Sequence, residues 1–342
     1  MKRLLLIITA MLISIALLTG CLDGEAQQPA VESPSAEQEN EHQDDGERIS
    51  IVVQIFPQYD WVRQIIGDEN IGRFALTYLL DNAIDTHSFN PSVSDVVRIK
   101  TSDVFMYVGG HSDSWVYDVL GSDDINPDIV TMSLLEVLGD QPLLEGFCDD
   151  DCDEDHDHNF SESHMDEHVW LSLRFAMLIC EAIADLLAEV DPVNARVYMD
   201  NMTAYVEQLA ALESEFQAVV DDANVTTMVF ADRFPFRYLL NDYGLAHFAA
   251  FPGCSAESEA SFITIISLAN RLNQFGLNVV LVTETSDKSI ARTVIESSDS
   301  RNQRILVLDS IKSVTPSDVR DGATYLSIMT KNLAVLREAL AN

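Results

Sequence analysis

From residue 48 to about residue 170, short continuous apolar runs alternate with helically spaced segments. "RISIVVQIF" (48–56), "RFALTYLL" (73–80), "DVFMYVGG" (103–110) and "PDIVTM" (127–132) have the length and the β-branched or aromatic content of buried strands. Between them Pro57 opens a helix reaching about Ile66, and Ser92 to Lys100 read as a second, shorter helix. The rhythm returns after residue 224, with strands in "TTMVF" (226–230), "LAHFAAF" (245–251), "LNVVLVT" (277–283) and "QRILVLD" (303–309) and a helix from Ser261 to Phe275. Strands separated by helices imply βαβ units and mainly parallel sheets, here in two α/β lobes of matching plan. The stretch from about Leu171 to Ala223 lacks glycine, keeps helical periodicity and is interrupted only near Asp191-Pro192. Its second part predicts one helix of about 27 residues, roughly 40 Å at 1.5 Å per residue, long enough to cross both lobes. The alternative is an ordinary helical hairpin packed on one lobe.

The first 47 residues read differently. Lys2 and Arg3 precede an apolar run to Leu18 and then Leu18-Thr19-Gly20-Cys21, the layout of a cleaved lipoprotein signal (1–20) with lipidation at Cys21. The run is short for a membrane span of about twenty residues. Two acyl chains suffice for stable anchoring, so the expected location is the outer face of the cytoplasmic membrane. Residues 21–47 hold nine Asp or Glu and no Lys or Arg, with little that is apolar, and predict a flexible acidic tether. The remaining domains are an N-terminal lobe (48–170), a helical linker (171–223) and a C-terminal lobe (224–342). A formal charge of −36 argues against nucleic acid as a partner and concentrates cations near the surface. Cys148 and Cys152 are close enough to pair in an oxidising space, although spacing alone leaves their state open.

In open α/β sheets, ligands sit beyond the carboxyl ends of strands. His87 follows the second strand, His111 the third, Asp232 the strand ending at Phe230 and Glu284 the strand ending at Thr283, while His168 precedes the linking helix. One lobe supplies histidines and the other carboxylates. Two imidazoles with one or two carboxylates suit Zn²⁺ and also accept Mn²⁺ or Fe²⁺. Plainer roles stand beside each: His87 and His111 as surface residues, Asp232 as a helix cap, Glu284 paired with Lys288 one helical turn on. The acidic loop 148–168 carries His156, His158, His164 and His168, a composition that collects cations weakly. No glycine-rich phosphate loop and no G-x-S-x-G elbow is present, and "VGGH" is too short to cradle phosphate. Cys254 in "FPGCS" has no activating base in view, and a zinc hydrolase would need a water-activating carboxylate such as Glu167 or Glu257.

Together "VVQIFPQYDWVRQIIGD", "DTHSFNPSVSDVVRIKTSDVFMYVGG", "DEHVWLSL" and "FADRFPFRYLLNDYGL" resemble the zinc- and manganese-binding solute-binding lipoproteins of bacterial metal ABC importers, over nearly all of residues 50–340. The resemblance implies two pseudo-symmetric α/β lobes joined by one long helix and a single metal ion in the cleft between them. It implies no enzymatic activity, an expected monomer, and delivery of the ion to a permease driven by a cytoplasmic ATPase. By position it makes His87 and His168 the N-lobe ligands. Where members have a third histidine or a glutamate, this chain has Ala231 followed by Asp232, so Asp232, His111 or water is expected in that place. The last acidic ligand falls in "VTETSDKS", where Glu284 is preferred to Asp287 for its place directly at the strand end; His164 is a further candidate. Zn²⁺ is the expected ion, with Mn²⁺ or Fe²⁺ as alternatives. A surface adhesion or interaction lipoprotein with a weakened metal site is the competing reading.

Overall fold

The computed structural model describes residues 48–81, 86–142, 165–251 and 260–341. The signal, Cys21 and the tether, together with Cys148, Cys152, His156, His158, His164, Cys254 and Glu257, lie outside the described residues. No helix among the described residues is long and apolar enough to cross a membrane.

The first half runs β1 (Ile49–Val53), α1 (Phe56–Ile66), β2 (Phe74–Tyr78), α2 (Val93–Lys100), β3 (Val104–Tyr107), α3 (Ser114–Leu120), β4 (Val130–Ser133) and α4 (Leu134–Leu138). The two linking helices are α5 (Leu173–Val190) and α6 (Ala195–Asp221). The second half continues with β5 (Thr227–Phe230), α7 (Arg237–Asp242), β6 (Ala246–Ala249), α8 (Phe262–Phe275), β7 (Val279–Thr283), α9 (Ser289–Ser297), β8 (Arg304–Leu308), α10 (Pro316–Arg320) and α11 (Tyr325–Leu340). All eight runs expected as strands contain one, each shorter than its run by a residue or more.

Each half forms a four-stranded sheet of parallel strands, ordered β2-β1-β3-β4 and β6-β5-β7-β8. The two orders are the same permutation, which is the pseudo-symmetry expected from the repeated rhythm. Strands covered on both faces read as unbroken apolar runs, and Ile51 and Val53 of β1 and Val280 and Val282 of β7 are fully buried. In both sheets the strand order reverses beside the first strand, at β1/β3 and at β5/β7, and such reversals open a crevice at the carboxyl ends.

The break near Asp191-Pro192 is a single 3-10 turn, Pro192–Asn194, and α6 then runs for 27 residues. Asp191 holds the corner, accepting from both Arg73 Nε (3.1 Å) and Nη2 (3.0 Å) and from Tyr198 Oη (2.6 Å). Helices α5 and α6 pack as a hairpin, yet α6 also packs on α1 of the first half and on α11, which lies against β8. The hairpin and the crossing helix, set out above as alternatives, are therefore one arrangement. Trp61, Trp170, Tyr198 and Tyr325, each at most 1% exposed, fill the core where these helices meet. Across it Asp60 of α1 accepts from the Tyr325 amide (2.8 Å) at the start of α11, a carboxylate placed at a helix N-terminus.

Candidate metal centre

His87 sits in a one-turn 3-10 segment, Thr86–Ser88, that follows β2 and leads into α2, whose N-cap is Ser92. Its Nδ1 lies 2.7 Å from Ser112 Oγ and 3.7 Å from Glu167 Oε2, and the side chain is 24% exposed. The loop after β3 makes this approach possible. Gly110 adopts φ +89°, and a Cβ there would stand 2.6 Å from Glu167 Oε1, so "VGGH" serves to admit the carboxylate that faces His87. Glu167 Oε1 also accepts the Ser112 amide at 2.8 Å, fixing loop and carboxylate together.

His168 is fully buried just before α5. Asp166 Oδ1 accepts from His168 Nδ1 (2.8 Å) and from the His168 amide (2.9 Å), an imidazole oriented by a carboxylate behind it. With the proton on Nδ1, the lone pair resides on Nε2. Burial pushes the Asp166 carboxyl up, but the charge and hydrogen bonds of His168, with Arg237 Nε 3.5 Å away, outweigh it and hold the group below its ordinary value.

The two imidazoles are brought together, with ring centroids 5.3 Å apart. Two imidazoles bound to one tetrahedral zinc through Zn–N bonds of about 2.0–2.1 Å have centroids roughly 5 Å apart. The separation therefore matches the span of a shared ion.

The second half reaches this point through Trp170. Its ring packs 5.2 Å from that of His168, and its Nε1 donates to Ser310 O at 2.9 Å. Ser310 in turn donates through its amide and hydroxyl to Glu284, at 2.9 and 2.8 Å, and Ser313 Oγ adds a bond of 3.0 Å. Glu284 thus stands at the end of β7, linked to the histidine pair through Ser310 and Trp170, with Ser310 and Ser313 rather than Lys288 as its hydrogen-bond partners. Asp232 does not cap α7, which begins five residues later. Its Oδ2 accepts from the Thr283 amide (3.0 Å) and hydroxyl (2.7 Å), stitching β5 to β7 at the strand-order reversal. Gln54 does the same between β1 and β3, accepting from the Val108 amide at 2.8 Å and donating to Asp113.

His111 is exposed beside Ser112, its carbonyl accepting from the Ser114 amide. Asp287 is exposed, and hydrogen bonds from the Ser289 side chain and from its amide, the latter at 2.7 Å, lower its pKa. Ala231 is buried against β7. Among the described residues, no group of three or more His, Cys, Asp and Glu side chains converges as a complete metal cage. Asp166, Ser112 and Trp170 were not among the candidates drawn from the sequence; the acid two residues before His168 was the one available signal, because D-x-H spacing lets a carboxylate reach back to the ring.

Two parallel-stranded α/β halves, stitched by a long helix, with His87 and His168 brought together where the second half reaches them through Trp170, define a two-lobed solute-binding protein. Residues 51–339 match the family model described as zinc-uptake complex component A, periplasmic, and the chain belongs to that family. It is 27% identical over 299 residues to the zinc-binding lipoprotein AdcA of Streptococcus pneumoniae, covering 87% of this chain but only 57% of that relative's length. It is also 24% identical to the high-affinity zinc uptake system protein ZnuA of Bacillus subtilis, covering 86% of this chain and 88% of that one. The Zn(II)-bound ZnuA-like domain of S. pneumoniae AdcA superposes with a TM-score of 0.67 at 25% identity, covering 86% of this chain and all of that domain.

Proposed function

We propose that this chain is a lipid-anchored, extracytoplasmic binding protein that captures Zn²⁺ between its lobes and delivers it to an ABC permease driven by a cytoplasmic ATPase. The observation that supports the reading is the pair His87 and His168, with ring centroids 5.3 Å apart and Nδ1 of each within hydrogen-bond distance of a neighbour, an arrangement that suits ligation through Nε2. The names of the relatives, zinc-binding and zinc-uptake proteins, favour Zn²⁺ over the Mn²⁺ or Fe²⁺ that the same donor types accept. Glu284 and Asp232 are the carboxylates proposed to complete the shell from the second lobe. To do so they exchange bonds to serine, threonine and amide donors for bonds to the ion.

The test is native mass spectrometry with metal analysis on residues 22–342, stripped of metal and titrated with Zn²⁺ and Mn²⁺. It is repeated on a form lacking residues 148–164 and on His87→Ala, His168→Ala, Asp232→Asn and Glu284→Gln. One tightly held Zn²⁺ in the parent and loop-deleted forms, weakened by orders of magnitude in the histidine variants, supports the reading. Loss of retention with the loop alone, or unchanged retention in His87→Ala, refutes it. Unchanged affinity in Glu284→Gln or Asp232→Asn removes that residue from the ligand set.

A further inference from the structure

A groove of about 640 Å³ lies on the flank of the first sheet, away from the histidines, and is lined by Arg48, Tyr59, Arg63, Phe74–Thr77, Val319 and Arg320 among others. Three arginines converge there in a chain with 56 acidic and only 20 basic residues. Among the described residues none of the three has a carboxylate at ion-pair distance. Of the acids nearby, Asp60 accepts from the Tyr325 amide and Gln64 and meets Arg63 only through its charge, and Asp318 accepts from Thr315. Arg63 stacks over Tyr59 with its guanidinium 5.7 Å from the ring centroid, which holds the charge at the rim.

The floor of the groove is β2, the outermost strand of its sheet. In the parallel ladder Thr77 is paired with Val52, and the Leu79 amide donates to Val53 O. Alternation along the strand then directs the N–H and C=O of Leu76 away from β1, toward the open edge. Edge strands of this kind template the addition of another strand. The edge is flanked by an apolar floor, Phe74 and Leu76, and by cations from α1, from α10 of the second lobe and from Arg48 just before β1.

We infer that this groove is a docking site for an extended acidic peptide segment of a partner protein. The segment adds as a strand along β2 and places its carboxylates against Arg48, Arg63 and Arg320. The backbone edge selects a peptide over a diffuse anionic surface, and the arginines select acidic side chains within it. The site is separate from the zinc reading and stands or falls without it.

The experiment is fluorescence anisotropy of residues 22–342 with a labelled decapeptide of alternating Glu and Val. Controls are the Lys/Val counterpart, the Glu/Val peptide N-methylated at alternate residues, inorganic phosphate, and phosphatidylglycerol vesicles. Saturable binding of the Glu/Val peptide is expected, lost with the Lys/Val peptide and weakened about tenfold or more both by N-methylation and by the Arg63→Gln/Arg320→Gln double variant. Far-UV circular dichroism and the urea midpoint of that variant report that it is folded, and its zinc retention, measured separately, keeps failure here distinct from failure of the zinc reading. Binding that ignores N-methylation, survives the double variant, or is found with vesicles or phosphate but not peptide overturns the inference.

Discussion

Replacing Asp166 by Asn isolates the carboxylate behind His168. Asp166 is fully buried, 2.8 Å from His168 Nδ1 on one oxygen and 3.5 Å from Arg237 Nε on the other. Asn is nearly the same size, so packing is kept and only the acceptor pattern changes. With its amide oxygen toward His168, the NH₂ opposes Arg237, donor against donor. With the amide flipped, the NH₂ faces Nδ1, and the proton moves to Nε2, the tautomer that cannot bind an ion. Either outcome weakens the ligand, and losing the carboxylate that orients a ligating imidazole costs about 10–100-fold in metal affinity, or about 1.4–2.7 kcal/mol. Losing hydrogen bonds to a buried charged group also costs about 1.5–3 kcal/mol of fold stability. The assay is competition between the apo protein and a chromophoric zinc chelator near pH 7.5, with circular dichroism to confirm folding. A folded Asp166→Asn protein with zinc affinity within about twofold of the parent would show that His168 is not a ligand oriented by this carboxylate.

Three further changes probe neighbouring features. Gly110→Ala combines a φ of +89° with a Cβ 2.6 Å from Glu167 Oε1, so it is expected to cost at least about 2 kcal/mol in denaturant unfolding and to weaken zinc binding through Glu167 and Ser112; parent-like values for both would contradict the close-approach account. Trp170→Phe removes the bond to Ser310 O while keeping most of the ring and is expected to lower stability by about 1–2 kcal/mol, read as a lower urea midpoint; an unchanged midpoint would mean that this bond does not hold the second half. Burial, with the charge of Glu167 adding to it against hydrogen bonds from Gly109 and Gln54, raises the pKa of Asp113 from 3.8 to about 6. The folded chain therefore holds this proton more tightly than the unfolded chain, so the contribution is most favourable below about pH 4, declines from about 4 to 6, and is level above, in all by about 3 kcal/mol in order of magnitude. Asp113→Asn should flatten that slope in urea midpoints taken across the range, and an identical slope would rule Asp113 out as its source.

The pattern of apolar runs determined the eight strands, their grouping into two similar halves and the long helix between them, because strand length, helical spacing and the Asp191-Pro192 break are local properties of the chain. Motif spacing likewise singled out His87 and His168, since both stand at ends of elements whose positions follow from that pattern. What the tertiary structure decided was orientation. Asp232 and Gln54 occupy matching strand ends and turn out to stitch the sheets, which depends on which strands lie side by side. Glu284 faces Ser310 rather than Lys288 because β8 delivers the serine beside β7, a pairing between residues 26 apart in sequence. The arginine groove was invisible in the sequence, where Arg48, Arg63 and Arg320 are scattered among an excess of acids. They meet only when α10 folds back against the first sheet, and no local rule of spacing encodes a contact between side chains more than 250 residues apart.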